Sequence, residues 1–308
     1  MKKIKYLGMA LMLFAASTAF VGCSDDDLDS KSIFERDPVE RSPFDNWLLK
    51  NYVEPYNINM IYRYSDKDAD QNYNVTPAKA ENALAIAKLI QHMWVGAYVE
   101  AVNANFLKTY TPRVIQLTGS YKYDTNGDIV LGTAEQGMKI VFYGVNDLDL
   151  DNLRVNTDDP YESKGTKPLD LNYWFFHTMH HEFCHILTQT KNYSTDFQTI
   201  SAGGYHSTDW VNVKDTQAAG EGFVSGYATQ EYNEDFAETY ATYVTLSETG
   251  WNKIIENAGP DGAKIINQKL DMVREYFLSN WNIDLDTMRS IILRRSAEVG
   301  QLNLRTLD

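Results

Sequence analysis

His177-Thr178-Met179-His180-His181-Glu182-Phe183-Cys184-His185 gathers four of the chain's six histidines into nine residues. Residues four apart share a face of an α-helix, so His181 and His185 can aim ring nitrogens at one metal ion about 2 Å from each. Glu182 then lies close enough to hold a water on that metal without ligating it. This is the H-E-x-x-H arrangement, in which zinc acidifies the water and the carboxylate takes its proton. Tyr173, Trp174, Phe176, Met179, Phe183, Ile186 and Leu187 give the polar pair the apolar surroundings of a buried helix, where imidazoles need a polar or ionic partner. Two histidines one turn apart by accident would not explain the crowding. Cys184, about 100° round the helix from each neighbour, reads as a packed thiol. His177 and His180 are left with structural or rim roles, and nothing in its spacing assigns His206 to a site.

A catalytic zinc usually takes three protein ligands and keeps one position open. Residues 186 to 191 supply neither a third histidine nor the glycine that would precede it, which excludes the metzincin pattern. The dense acidic helical candidate is Asn233-Glu234-Asp235-Phe236-Ala237-Glu238. Glu234 and Glu238 share a face there, so one can ligate while the other accepts a ring N–H from a ligating histidine. Spacing alone does not say which does which, and a solvated acidic face is the plainer alternative.

H-E-F-x-H followed about fifty residues later by N-E-D-F-A-E resembles the gluzincin-like peptidases. The likeness is greatest to the zinc metallopeptidase lipoproteins that accompany TonB-dependent nutrient import in Bacteroidetes. It rests on the N-terminal signal, the His181–His185 segment and the Glu234 segment. A similar pair of elements occurs in the lethal factor of anthrax toxin, whose E-F-F-A-E matches Glu234 to Glu238. The resemblance implies Zn²⁺ as cofactor, Glu234 as third ligand and Glu238 as the carboxylate behind a ligating histidine. It also implies that Tyr227, seven residues before Glu234, donates a hydrogen bond to a developing oxyanion. The implied fold is α+β and zincin-like, a small sheet with an active-site helix and a mainly helical C-terminal lobe. The implied activity is hydrolysis of peptide bonds by a zinc-activated water, with Glu182 as general base. A zinc-containing but non-catalytic lipoprotein that binds peptides or glycans for import would carry the same motif, and a structural surface lipoprotein is a further alternative.

The N-terminus fits that setting. Lys2, Lys3 and Lys5 precede an apolar run from Leu7 to Val21, too short to span a membrane comfortably, and Gly22-Cys23 follows. The ending resembles a bacterial lipobox, with Phe20 where Leu is more usual, which implies lipidation of Cys23. Ser24-Asp25-Asp26-Asp27 resembles the acidic tag that sends such lipoproteins to the outer face of the outer membrane. Residues 1–22 are therefore expected to be a signal, 23–43 an acidic tether and 44–308 the catalytic domain, with lobes meeting near residue 190. Loss of residues 1–22 leaves 25 basic against 42 acidic side chains, a formal charge of −17. That charge repels nucleic acid and anionic membrane surfaces, leaving peptide, protein or glycoprotein substrates, contact with the membrane through the lipid alone, and an import complex as expected partners. Cys184 would then be the only free thiol, so the fold must be held by its core.

Along the domain, Thr76-Pro77 reads as the start of a long helix or broken pair reaching Lys108. Val114 to Leu117 reads as a strand, Tyr121 to Tyr123 and Ile129 to Leu131 as a hairpin around Asn126-Gly127, and Met138 to Tyr143 as the strongest β segment. That segment or its neighbour is the expected cleft-edge strand, able to pair with an extended peptide. Residues 147–168 read as loop, about 169–190 as the motif helix, and 191–231 as a glycine-containing excursion. A helix then begins near Glu231, and further helices lie around Ile254, Ile265 to Leu278 and Leu285 to Leu293.

Overall fold

Ser42 opens the first helix with a capping box: its hydroxyl accepts from Asp45 N while Asp45 Oδ2 accepts from Ser42 N, and Pro43 occupies the first helical position. The architecture is that of a computed structural model describing residues 40–63, 75–123, 127, 129–135 and 138–308. The expected signal, Cys23 and nearly all of the expected tether lie outside the described residues.

Helix α1 (Pro43–Leu48) runs through a π turn (Leu49–Val53) into α2 (Glu54–Tyr56), and strand β1 is Asn59–Ile61. Helix α3 (Ala80–Ile90) continues through a π turn (Gln91–Val95) into α4 (Gly96–Ala101), and after a break comes α5 (Ala104–Tyr110). The broken pair is thus present, but it does not start at Thr76-Pro77. Pro77 is engaged in a bridge with Thr118, and Thr76 O accepts from Gly119 N, so this stretch is extended and Lys79 becomes the N-cap.

Four strands form a mixed sheet in the order β1-β2-β6-β5, where β2 is Val114–Leu117, β5 is Gly132–Glu135 and β6 is Lys139–Phe142. β1, β2 and β6 are parallel, and β5 runs antiparallel to β6 with Gly132 opposite Phe142. β3 (Lys122–Tyr123) and β4 (Ile129–Val130) make the expected hairpin, with Gly127 in its turn at φ 90°. The strong β segment is therefore interior, and its neighbour β5 is one of the sheet's two edge strands among the described residues, the other being β1.

The motif enters through a π turn (Asn172–His177) and continues as α6 (Thr178–Thr190), close to its expected span. Wide i→i+5 turns of this kind are frequent at functional sites. α6 packs against β5 on one side, and Phe183 anchors another of its faces. That ring is fully buried, edge-on to Trp94 at 5.0 Å and to Tyr98 at 4.9 Å between ring centroids. Burial of this kind makes truncation of a phenylalanine cost about 3–5 kcal/mol, so Phe183 seats α6 firmly on the π turn Gln91–Val95 and on α4.

The excursion holds α7 (Asp196–Ile200), α8 (Asp215–Gly220) and short 3₁₀ turns at Ser207–Asn212 and Tyr227–Thr229. Then come α9 (Tyr232–Thr245), α10 (Glu248–Trp281) and α11 (Leu285–Glu298). α10 is broken at Gly259, where φ is 64°, just before Pro260, which gives the two helical segments expected there. Tyr240 stacks on Phe277 at 4.1 Å and Phe236 on Tyr193 at 4.1 Å, pinning α9 between α10 and the excursion. Residues 42–308 form a single unit with mixed α and β structure, the sheet confined to its first half and helices dominating the second.

Candidate metal centre

α6 and α9 lie side by side, and their facing side chains make the site. α9 starts after Glu231, whose backbone is extended, and the acids Glu234 and Asp235 in its first turn complement the positive end of the helix dipole. Asp235 turns away from α6 to a fully buried Lys269, whereas Glu234 turns toward it.

His181 Nε2, His185 Nε2 and Glu234 Oε2 form a triangle with edges of 3.0, 3.0 and 3.2 Å. A tetrahedral ion with bonds of about 2.0–2.2 Å holds its ligand atoms about 3.3–3.6 Å apart, so the triangle is a few tenths of an ångström tighter than that ideal and one small cation fits against it with modestly narrowed angles. The two facing imidazole nitrogens can share at most one proton, while a cation satisfies both. Two imidazoles and one carboxylate are also a donor set suited to zinc. Glu234 is mostly buried, which works against its charge, yet His181 and His185 hold its carboxyl well below the usual range.

On the other side of the His181 ring, Nδ1 lies 2.8 Å from Glu238 Oε1, off the line of a straight hydrogen bond. The same oxygen meets His177 Nε2 at 2.7 Å, and Glu238 Oε2 accepts from Ser225 Oγ at 2.6 Å. Burial opposes the Glu238 charge, but His177 and His181 keep the carboxyl well below its ordinary value. A carboxylate against Nδ1 fixes the ring's orientation and leaves Nε2 to face Glu234 and His185. Geometry thus separates the two acidic residues that spacing left undistinguished.

Glu182 is 7% exposed and sits on the face of α6 next to β5, its Oε1 within 3.9 Å of where a side chain at Gly132 would begin. The Tyr227 ring lies 5.7 Å from that of His181 and edge-on to Trp210 at 4.9 Å. Burial, then the charges of Glu234, Glu182 and Glu238, push the Tyr227 phenol far above its ordinary value, so it remains a protonated donor. Gly226 before it allows a close approach: a Cβ there would lie 2.2 Å from the Val213 carbonyl oxygen.

His180, in contrast, is fully buried beside the rings of Tyr98 and Tyr240, and burial first, then His177, pushes its pKa down to about 3. It is a neutral packed residue. His206 pairs with Glu221 at 2.7 Å in the excursion, and Cys184 is buried as expected. His177 and Ser225 are members of the cluster that sequence reasoning did not place there. For His177 the signal was available, since it lies one turn before His181 on the same face.

The family model described as "Putative zinc-binding metallo-peptidase" matches residues 37–286. Among solved structures, the crystal structure of a "putative zinc-binding metallo-peptidase" from Bacteroides caccae superposes with a TM-score of 0.71 at 38% identity, covering 90% of this chain and 100% of that one. A search of curated proteins found no match. The matched span contains α6 and α9 with all three corners of the triangle, and the chain belongs to this family of zinc-binding metallo-peptidases.

Proposed function

We propose that the chain is a zinc-dependent peptidase of the gluzincin-like, zincin-fold type, with His181, His185 and Glu234 as ligands. The observation that carries this reading is the triangle of donor atoms at 3.0–3.2 Å, with Glu182 next to His181 in the chain and the Tyr227 ring 5.7 Å from that of His181. Bound zinc supplies Lewis-acid polarisation of the scissile carbonyl and acidifies a water. Glu182 takes the proton of the attacking water and passes it to the leaving amine. Tyr227 donates its hydroxyl hydrogen to the oxygen that gains negative charge, and Glu238 holds His181 in place. β5 lies at the sheet edge beside α6, so its outer backbone groups can align an extended peptide across Glu182. On residues 20–27 alone, we further propose lipidation at Cys23, exposure on the outer membrane and service to a TonB-dependent import complex.

The test is cleavage of peptide and glycopeptide libraries with and without chelator, by wild type and Glu182→Gln. The expected result is chelator-sensitive cleavage by the wild type and about 10²–10⁴-fold slower turnover by the zinc-loaded variant. Binding of peptides or glycans without chelator-sensitive cleavage would overturn the reading in favour of a non-catalytic binder.

A further inference from the structure

We propose that Ser225 is a positioning residue that holds the metal-ligand His181 and the donor Tyr227 in one register, an inference that rests on the peptidase reading above. Its hydroxyl donates to Glu238 Oε2 at 2.6 Å and accepts from Ala228 N at 3.1 Å. The first bond acts on the metal side. Glu238 is 6% exposed, so no bulk water stands ready to replace the Ser225 proton, and its other oxygen is the one against His181 Nδ1 and His177 Nε2. A carboxylate gripped at both oxygens cannot swing about its terminal bond, and the His181 ring inherits that restraint.

The second bond acts on the oxyanion side. Ala228 N belongs to the one-turn 3₁₀ helix Tyr227–Thr229, and Ser225 Oγ is the acceptor that closes its start. The neighbouring backbone is held independently, by Gly226 N donating to Asp215 Oδ1 and by the Gly226 approach to Val213 O. The turn is therefore fixed at its base by Asp215 and joined to the metal cluster by Ser225. One hydroxyl links two groups that must act on the same substrate carbonyl.

Ser225→Ala, Ser225→Thr, Tyr227→Phe and the double variant Ser225→Ala/Tyr227→Phe test this in the full chain. Ser225→Ala should lower zinc affinity about 5- to 10-fold in competition with a chromogenic chelator, below the 10- to 100-fold typical for a direct partner of a ligand. Amide exchange at Ala228 should rise about tenfold, and kcat on a peptide identified by the cleavage screen should fall about tenfold with KM unchanged. Ser225→Thr keeps the hydroxyl and should restore all three. In the Tyr227→Phe background, removing the hydroxyl should cost about twofold or less in kcat, because coupled groups are not additive. Wild-type zinc affinity and Ala228 exchange in Ser225→Ala would overturn the proposal, as would a threonine variant as impaired as the alanine one or full additivity. If the wild type cleaved no peptide, the peptidase reading would fall, and the affinity and exchange measurements alone would decide for or against Ser225.

Discussion

Glu238 Oε1 lies 2.8 Å from His181 Nδ1, across the ring from the nitrogen that faces Glu234 and His185. The two glutamates on one face of α9 therefore do different things, one toward Nε2 and one toward Nδ1. Glu234→Ala is expected to abolish stoichiometric zinc binding. Glu238→Gln is expected to keep zinc with an affinity lowered about 10- to 100-fold. Metal analysis together with chelator competition separates the two outcomes, and equal losses would contradict the assignment.

Lys269 Nζ meets Asp235 Oδ2 at 2.7 Å, with side chains 1% and 0% exposed, and also donates to Gly222 O. Burial pushes the Asp235 carboxyl up to about 6 against the pull of Lys269, so the pair is maintained at a desolvation cost. Lys269→Met leaves a buried carboxylate without its cation and should destabilise the fold by about 3–5 kcal/mol. Lys269→Met/Asp235→Asn removes both charges and should recover much of that loss. Urea titration of the three proteins measures it, and a double variant no better than the single would show that the helices need the pair for something besides charge balance.

Motif helix, acidic helix and their apolar surroundings were legible in the sequence because each depends on local spacing, with the resemblance naming Glu234 as the ligand. The parts that were not legible depend on contacts that spacing does not encode. Ser225 reaches Glu238 only because the excursion folds back over α9. Gly132–Glu135 has little β-branched or aromatic character, yet it becomes an edge strand because β6 offers it a paired ladder. Thr76-Pro77 has the chemistry of a helix start but is drawn into extended pairing with residues 118–119, and tertiary pairing wins over local preference.

Gly226→Ala probes the approach beneath Tyr227. The new Cβ would sit 2.2 Å from a backbone oxygen of Val213, which no side-chain rotation can relieve. About 1–3 kcal/mol of stability should be lost, and kcat should fall while zinc content stays near one per chain. Loss of zinc together with kcat would show that the displacement reaches α6 and α9 as well.

Asp45 gives a pH signature remote from the site. Partial burial raises its pKa, but Arg63, the Ser42 backbone and hydroxyl and Tyr62 together hold the carboxyl down at about 2, from an ordinary 3.8. A depressed carboxylate adds stability above its unfolded value and loses it as pH falls toward its folded value. The stability gap between wild type and Asp45→Asn should therefore be constant above about pH 5 and close between about pH 4 and 2. Denaturant titrations across that range check it, and a gap independent of pH would refute a charge-based role.

The central claim is that one zinc ion sits among His181, His185 and Glu234. Anomalous diffraction from zinc-loaded crystals, collected on both sides of the zinc absorption edge, tests it directly. The account predicts a single peak about 2.0–2.2 Å from His181 Nε2, His185 Nε2 and a Glu234 oxygen. A peak between His177 and Glu238, or one touching neither His181 nor His185, would contradict it.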